Sequence, residues 1–380
     1  MLALWEVGLL LGASVAVLLY QGYALLLASE LPRLGPAPPE PPVATRPRVS
    51  VVIAARNEEL DLPATLSDLL AQDYPSLEII VVEDGSTDGT RAVIDRCAPR
   101  VRRLEPPPLP PGWTGKNWAC WNGARAATGD WVLFLDADVR THPTAVRSTL
   151  DWAQHEHADL TTLTFRLEMV GFWERVVLPF FVQLVLTYFR APHVNRAGSR
   201  TAIANGQFWL TPIATYFALG GHEAVRSVVS EDVAIARRYR AAGKKLRLAW
   251  SPALATTRMY RTRAEMYEGL LKNAHGVEFS AGRIVGSLAG LIAGFLLPLA
   301  LLPVALVTGP WELVLMGAVL YVALFSKHVV FAESAGAPPA YGLLFPLAAG
   351  YYVRLMVTSL VRGLRRQPVV WKGRSYPLGP

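Results

Sequence analysis

The residues from Val7 to Leu27 form a Leu-rich run without a single charged side chain. A helix needs about 20 apolar residues to cross the hydrocarbon core of a bilayer, so this run is long enough to span it. The alternative is a cleaved signal peptide. The start MLALWE contains no basic residue, however, and the apolar run is long for such a signal. The sequence therefore predicts an uncleaved transmembrane anchor over residues 1–30.

Further apolar runs lie near the other end of the sequence. Two of them, within residues 284–325, are separated by a Thr-Gly-Pro turn, and a third over 341–360 is interrupted by Arg354. Because of these runs 52% of the residues are hydrophobic and only 18% are charged, against about 25% charged residues in soluble domains. We expect a C-terminal transmembrane bundle over 281–362 and a basic cytosolic tail over 363–380.

Between the membrane segments the sequence alternates between strand and helix patterns. After a Pro-rich linker over 31–47, three runs, RVSVVIAA at 48–55, LEIIVV at 77–82 and WVLFL at 131–135, are typical of strands buried on both faces. Leucines at helical spacing between the first two indicate a helix. The alternation predicts an α/β class domain over 48–280 with a doubly wound, Rossmann-like parallel sheet.

Acidic residues follow two of these predicted strands. Glu83 and Asp84 come directly after the second strand, and Asp136 and Asp138 come directly after WVLFL. Ligands of such sheets bind beyond the carboxyl ends of the strands, and clustered carboxylates repel each other unless a cation joins them. One or two carboxylates together with phosphate oxygens suit Mg²⁺ or Mn²⁺. The alternative is that Asp-Ala-Asp only caps a turn.

Four successive motifs resemble those of family 2 glycosyltransferases with a GT-A fold. They are VSVVIAARNE, VVEDGSTDGT, GKNWACWNGARAATGDWVLFLDADV and SEDVAIARRYRAAGKKL. The resemblance covers roughly residues 48–280 and implies transfer of a sugar from a nucleotide sugar. It assigns donor binding to Arg56, Glu83, Asp84, Lys116, Asp136, Arg258 and Arg261. Asp84 would bind the uracil of a UDP-sugar, Asp136 the ribose, and Asp138 the metal-bound diphosphate, so that Asp138 and Asp136 form the metal site.

The resemblance also implies which residues act on the acceptor. Asp232 would be the general base, and a carboxylate within hydrogen-bond reach can remove the proton of an attacking hydroxyl group. The sequence Ser-Glu-Asp is equally typical of an ordinary helix N-terminus with Ser230 as the N-cap, which is the alternative. Gln207, His222 and Glu231 are assigned to the acceptor side, and for His222 a structural role is the alternative.

Several stretches resemble a membrane-anchored branch of the family that glycosylates ceramide, hopanoid or carotenoid lipids. They are PLPPGWTGKNWAC, GQF at 206–208, GGH, and WKGRSY at 371–376. The apolar segment 171–189 is too broken to span, so we expect an interfacial helix that keeps the catalytic mouth at the bilayer surface. Trp371, Lys372, Arg374 and Tyr376 could equally be an interfacial anchor. We therefore expect metal-dependent transfer of a single sugar to a hydroxyl or carboxyl group of a lipid.

Two related activities are the alternatives, a processive polysaccharide synthase and a polyprenyl-phosphate glycosyltransferase. Processive members carry a Gln/Arg-x-x-Arg-Trp motif before their membrane helices, whereas this sequence has Arg258 and Arg261 followed by Thr262. A dehydrogenase is disfavoured because no Gly-x-Gly-x-x-Gly follows the first strand. A nucleic-acid partner is not expected, since the net charge of +7 is spread over juxtamembrane segments.

The expected location is the cytoplasmic (inner) membrane, as a multi-pass protein. Nucleotide sugars are cytosolic, so the domain at 48–280 should face the cytoplasm, and basic residues before the first late apolar run agree with the positive-inside rule. Three complete late spans would place the basic tail outside. We therefore expect the segment that contains Arg354 to be re-entrant or interfacial.

Overall fold

The computed structural model describes residues 4–38, 46–276, 280–371 and 373–376. The strands are β1 (Val49–Ala55), β2 (Leu77–Glu83), β3 (Arg102–Leu104), β4 (Trp131–Leu135), β5 (Val139–Thr141), β6 (Leu160–Thr164), β7 (Arg166–Leu167), β8 (Phe208–Pro212), β9 (Leu246–Trp250), β10 (Ala255–Thr257), β11 (Val369–Trp371) and β12 (Arg374–Tyr376). The predicted linker and the predicted tail lie partly outside the described residues, and Lys372 lies outside them.

The helices precede, separate and follow these strands. They are α1 (Leu4–Ser29), α2 (Leu62–Leu70), α3 (Thr90–Asp95), α4 (Gly115–Ala126), α5 (Ala145–His155), α6 (Phe172–Tyr188), α7 (Ile213–Ala218), α8 (Glu231–Ala241), α9 (Arg263–Gly276), α10 (Ala281–Leu291), α11 (Leu297–Thr308), α12 (Trp311–Ala335) and α13 (Phe345–Leu364). A π-helical turn at Ile292–Leu296 joins α10 to α11.

The central sheet has seven strands in the order β3-β2-β1-β4-β8-β6-β9. Strand β1 is parallel to β2 and β4, and β6 is parallel to β9, as the alternating pattern predicts. Strand β8 is antiparallel to both of its neighbours, so the prediction of a wholly parallel sheet was wrong for this strand. The antiparallel direction pairs Phe208 with Leu135 and brings the start of β8 to the edge where β4 ends.

Apolar side chains cover both faces of the sheet. One core lies under α2 and α5 and contains Leu66 and Leu150, and the other lies under α4 and α8 and contains Cys120 and Ile235. A small second sheet has the order β5-β10-β7. Its strand β5 follows β4 in the sequence, and its strand β10 precedes α9. This α/β core with covered faces holds the ends of β2 and β4 in place, and those ends carry the predicted site.

Four helical segments are long and apolar enough to cross a membrane, judged by length and composition among the described residues. They cover residues 5–29, 281–307, 311–335 and 339–364. Helix α6 packs with α9, α12 and α13 in a third apolar cluster, which contains Val177, Phe180 and Tyr352. The segment predicted to be interfacial is thus a helix that packs between the α/β domain and the apolar helices.

Candidate active site

Lys116 occupies the first turn of α4 and joins two acidic segments. Its Nζ atom lies 2.9 Å from Asp136 Oδ1 and 2.9 Å from Glu231 Oε1. Burial lowers the pKa of Lys116, but the charges of Asp136 and Glu231 outweigh it and hold the pKa well above its ordinary value. Lys116 therefore remains a cation and links the end of β4 to the start of α8.

The N-terminus of α4 is fixed to the loop that precedes α8. The amide of Asn117 is fully buried, and its Nδ2 donates to the carbonyl oxygens of Val225 and Val228, both at 2.9 Å. The backbone N–H of Thr114 donates to the carbonyl oxygen of Arg226 at 2.8 Å. Sequence reasoning missed Asn117, although it belongs to the GKNWAC motif, because its role depends on a loop about a hundred positions away.

Asp232 lies in the first turn of α8 and faces the loop before β8. Its Oδ2 accepts a hydrogen bond from the backbone N–H of Gly206 at 2.9 Å, and its Oδ1 accepts from Val233 at 2.8 Å. Burial, together with the charge of neighbouring Glu231, raises the pKa of Asp232 from 3.8 to about 6, although Lys116 opposes the rise. Ser230 occupies the N-cap position but makes no capping side-chain hydrogen bond. A carboxyl group with this pKa can take up a proton near neutral pH.

Asp136 and Asp138 both line the cavity described below. They are joined by a turn rather than by extended backbone, because the N–H of Val139 donates to the carbonyl oxygen of Asp136 at 3.3 Å. The turn is anchored to the loop before β8, since the Asp136 N–H donates to the carbonyl oxygen of Gln207 at 3.0 Å. Gln207 also lines the cavity, at the acceptor side of the predicted site.

Asp136 and Asp138 fit a divalent cation only if ligands from outside the protein complete its coordination shell. Among the described residues no group of three or more His, Cys, Asp or Glu side chains is arranged to hold a metal ion. Mg²⁺ in nucleotide sites typically takes one or two carboxylates and completes its shell with phosphate oxygens and water. The donor set of Asp136 and Asp138 matches that chemistry, with Lys116 as an additional positive charge beside Asp136.

The residues after β2 form a separate polar corner next to the start of α4. Burial raises the pKa of Glu83, but hydrogen bonds from Ser86 and Arg91 outweigh burial and hold the pKa below its ordinary value. Glu83 thus stabilises the turn after β2. Arg56 Nη1 donates to the carbonyl oxygen of Asp84 at 2.7 Å. The carboxylate of Asp84 accepts from Arg374 in β12, with Nη2 at 3.0 Å from Oδ1.

Six of the predicted site residues do not line the cavity, because Arg56, Glu83 and Asp84 lie in the polar corner and the other three, Arg258, Arg261 and His222, make contacts elsewhere. Arg258 pairs with Glu174 of α6 at 3.0 Å, and Arg261 pairs with Asp61 ahead of α2. His222 is buried, and its Nδ1 lies 2.8 Å from the hydroxyl oxygen of Tyr216. Burial and the charge of Lys116 lower the pKa of His222 to about 3. His222 is therefore a neutral side chain within the aromatic core, and the structural alternative describes it better than acceptor contact.

A cavity of about 1270 Å³ extends from the acidic residues into the apolar helices. At one end Lys116, Asp136, Asp138, Glu231 and Asp232 line it. Elsewhere its walls are largely apolar and come from α1, α6, α10 and α11, including Leu10, Tyr20, Val185, Leu291, Pro298 and Leu301. Two cationic residues that sequence reasoning did not assign to the site, Lys272 and Arg283, also line it. Burial and the charge of Lys116 lower the pKa of Lys272.

Comparison with known proteins identifies similar sequences and folds. The family model described as Glycosyl transferase family 2 matches residues 50–222. The 4,4'-diaponeurosporenoate glycosyltransferase of Staphylococcus haemolyticus is 34% identical over 135 residues, which are 34% of this chain and 34% of that protein. The protein of the same name from Staphylococcus aureus is 24% identical over 338 residues, 87% of this chain and 88% of its own length.

A solved structure has the same fold over nearly the whole chain. The mannosyltransferase of Pyrobaculum calidifontis, described in complex with GDP-Man and Mn²⁺, matches with a TM-score of 0.53 and 20% sequence identity. The match covers 94% of this chain and 99% of that one. The predicted GT-A fold is thus confirmed, including the helices beside the α/β domain.

Proposed function

We propose that this chain, whose residues 50–222 match the family model described as Glycosyl transferase family 2, is a glycosyltransferase that transfers a single sugar from a nucleoside-diphosphate sugar to the polar end of a lipid. We expect a UDP-sugar as donor, Mg²⁺ or Mn²⁺ as cofactor, and a carotenoid, hopanoid or sphingolipid-like acceptor with a hydroxyl or carboxyl group. The relatives named for diaponeurosporenoate support a carotenoid acceptor.

The size and lining of the cavity carry this proposal. Its polar end contains Asp232 and Glu231, and its walls continue as apolar side chains between α1, α6 and α10. An elongated apolar molecule with one polar end would bury its length against these walls and present its end group to Asp232. A growing polysaccharide would leave its hydroxyl groups without partners along the same walls, so the lining favours a lipid over the processive alternative.

The residues of the polar end have complementary roles in this proposal. Asp232 accepts the proton of an acceptor hydroxyl group while the oxygen attacks the anomeric carbon of the donor. The N-terminus of α4 and the ammonium group of Lys116 offset the negative charge of the leaving diphosphate. Asp136 and Asp138 would hold the divalent cation, which when bound supplies Lewis-acid stabilisation of the same leaving group.

The contacts of the membrane helices suggest which segments cross the bilayer. Helix α12 ends at the catalytic domain, where a Cβ on Gly336 would lie 2.9 Å from the carbonyl oxygen of Leu167. The α10–α11 segment would then leave the domain and α12 would return to it. Helix α13 instead lies along α9, with Tyr267 donating to the Thr358 hydroxyl at 2.7 Å. We propose that α13 lies at the interface, so that the tail and the catalytic domain share the cytoplasmic side.

Two glycines of α10 provide a matched test of the cavity. A Cβ on Gly290 or on Gly286 would meet no atom within 4 Å, so both positions tolerate a side chain, but only Gly290 is among the cavity-lining residues. We expect Gly290→Phe to raise the KM for the acceptor by about tenfold or more, which corresponds to about 1.4 kcal/mol of lost acceptor binding. Gly286→Phe should leave it unchanged.

The assay supplies radiolabelled UDP-sugars and a panel of carotenoid, hopanoid and sphingolipid acceptors to membranes that contain the protein. Binding of UDP is measured in parallel and should be the same for both variants. A polymeric product, or an equal loss of transfer in Gly290→Phe and Gly286→Phe, would refute the proposed use of the cavity.

A further inference from the structure

Strands β11 and β12 form a C-terminal hairpin that lies on the α/β domain. Strands β11 and β12 are antiparallel, with Trp371 opposite Arg374, and Gly373 adopts a left-handed conformation (φ 74°) in the turn between them. Strand β11 lies beside α9. The hairpin therefore carries Arg374 to the polar corner beside the end of β2, rather than leaving it only as a membrane anchor.

Arg374 makes a two-pronged ion pair with the carboxylate of Asp84. Its Nη1 donates to Asp84 Oδ2 and its Nη2 donates to Asp84 Oδ1 at 3.0 Å. The side chains of Arg374 and Asp84 are only 23% and 11% exposed. A bidentate guanidinium–carboxylate pair that is largely shielded from water is well ordered and fixes the plane of the carboxylate.

The start of α4 is shaped to accept this guanidinium group. A Cβ on Gly115 would overlap Arg374 Nη1 and would lie 2.7 Å from Asp84 Oδ2, so only glycine fits here without a shift of the pair. On the other side, Arg56 Nη1 donates to the carbonyl oxygen of Asp84 at 2.7 Å and to that of Gly85 at 3.2 Å. Residues that lie far apart in the sequence thus surround the Asp84 carboxylate in the polar corner, next to Lys116 in the first turn of α4.

We propose that Arg374 is a specificity-determining residue of the donor site, and that the C-terminal hairpin completes the pocket for the nucleobase. This inference rests on the proposed function, because it requires a nucleoside-diphosphate donor whose base reaches Asp84.

The chemistry of this polar corner would discriminate among nucleobases. An ionised carboxylate only accepts hydrogen bonds, and it has more lone-pair sites than the guanidinium of Arg374 uses. Asp84 can therefore still accept an N–H group, such as N3–H of uracil or N1–H of guanine. The planar donors of Arg374 suit the carbonyl oxygen beside that N–H. Cytosine and adenine present a nitrogen lone pair at the corresponding edge, which would face the lone pairs of Asp84.

The test measures nucleotide binding to the purified full-length protein in the presence of Mg²⁺, with UDP, GDP, CDP, ADP and pyrophosphate as probes. For wild type we expect UDP or GDP to bind more tightly than CDP and ADP. Arg374→Ala should weaken the preferred nucleotide roughly 10- to 100-fold, as expected for loss of a charge-assisted hydrogen bond. Affinity for pyrophosphate should not change, because pyrophosphate has no base.

Two further variants separate this role from a purely structural one. Arg374→Lys keeps the charge but not the two-pronged geometry, so it should restore only part of the affinity. Arg365→Ala removes the same charge from an exposed position of the same tail and should behave as wild type. If Arg374→Ala keeps the wild-type ratio of UDP to CDP affinity, or binds UDP more tightly, the inference is wrong. If wild type binds none of the nucleotides, the proposed function fails as well.

Discussion

The substitution Asp232→Asn separates a general base from a carboxylate that only stabilises the start of a helix. Both carboxylate oxygens accept backbone hydrogen bonds, one from Gly206 and one from Val233. Asparagine has one carbonyl oxygen, so it keeps one of these bonds and turns its amide group toward the other N–H. The lost bond costs about 1 kcal/mol. Removal of the repulsion from Glu231 offsets part of that cost, so we expect the variant to fold.

The expected loss of transfer is much larger than the loss of stability. Removal of a general base typically slows a reaction about 10²- to 10⁴-fold, which corresponds to about 2.7–5.5 kcal/mol of transition-state stabilisation. Donor binding should survive, because Lys116 and Asp136 remain in place. If Asp232 served only the helix N-terminus, asparagine would be nearly as good and transfer would hardly change.

The pH dependence of transfer provides a second readout for the same residue. Burial and the charge of Glu231 raise the pKa of Asp232 from 3.8 to about 6. Only the ionised form can accept a proton, so wild-type kcat/KM for the acceptor should fall as the pH decreases through about 6. An ordinary carboxyl group would hold its activity down to about pH 4. In Asp232→Asn the residual transfer should lack this acid limb.

The assay combines donor affinity with single-turnover transfer at several pH values. Glu223→Gln is the matched control, since it removes an exposed carboxylate of the same region that does not line the cavity. Transfer by Asp232→Asn within about threefold of wild type, a difference of about 0.6 kcal/mol, would refute the base assignment. That result would also favour a carboxylate acceptor, which attacks without losing a proton.

Two predictions concern the metal site and the membrane topology. Asp138→Ala should lose transfer and keep the melting temperature of the wild type, because it removes a proposed ligand of the cation that would offset the diphosphate charge; full activity in excess EDTA would contradict this assignment. A reporter fused after Pro380 should be cytoplasmic, because the tail contacts Asp84; an extracellular signal would rule out the interfacial placement of α13.

The central strands and their acidic ends were predictable because their signals are local. The run WVLFL is strand β4 over its full length, and β1 and β2 match their predicted runs to within a residue. A strand buried on both faces needs a continuous apolar run, so the sequence marks it directly. The acids that follow such a strand lie at its end in any parallel arrangement, which is why Asp136 and Asp138 could be assigned together.

Features that depend on distant partners were not predictable in the same way. The short apolar run of β8 does not indicate its direction, which depends on the path of the segment that precedes the strand. Helix α12 continues past the predicted end at Phe325 because two polar residues find partners in other segments. Lys327 Nζ donates to Gln21 Oε1 of α1, and the ring of His328 stacks on Phe345 at 4.0 Å between centroids.

The partners of the site carboxylates distinguish roles that the sequence motifs alone leave open. Asp136 and Glu231 share the ammonium group of Lys116, and Asp84 pairs with a guanidinium group 290 positions away. Each of these carboxylates thus accepts charge-assisted hydrogen bonds from a cationic side chain. Asp232 instead accepts backbone N–H groups beside the charge of Glu231, and its pKa rises to about 6. In the proposed reaction, burial next to a like charge therefore makes Asp232 the carboxylate best suited to take a proton from the acceptor.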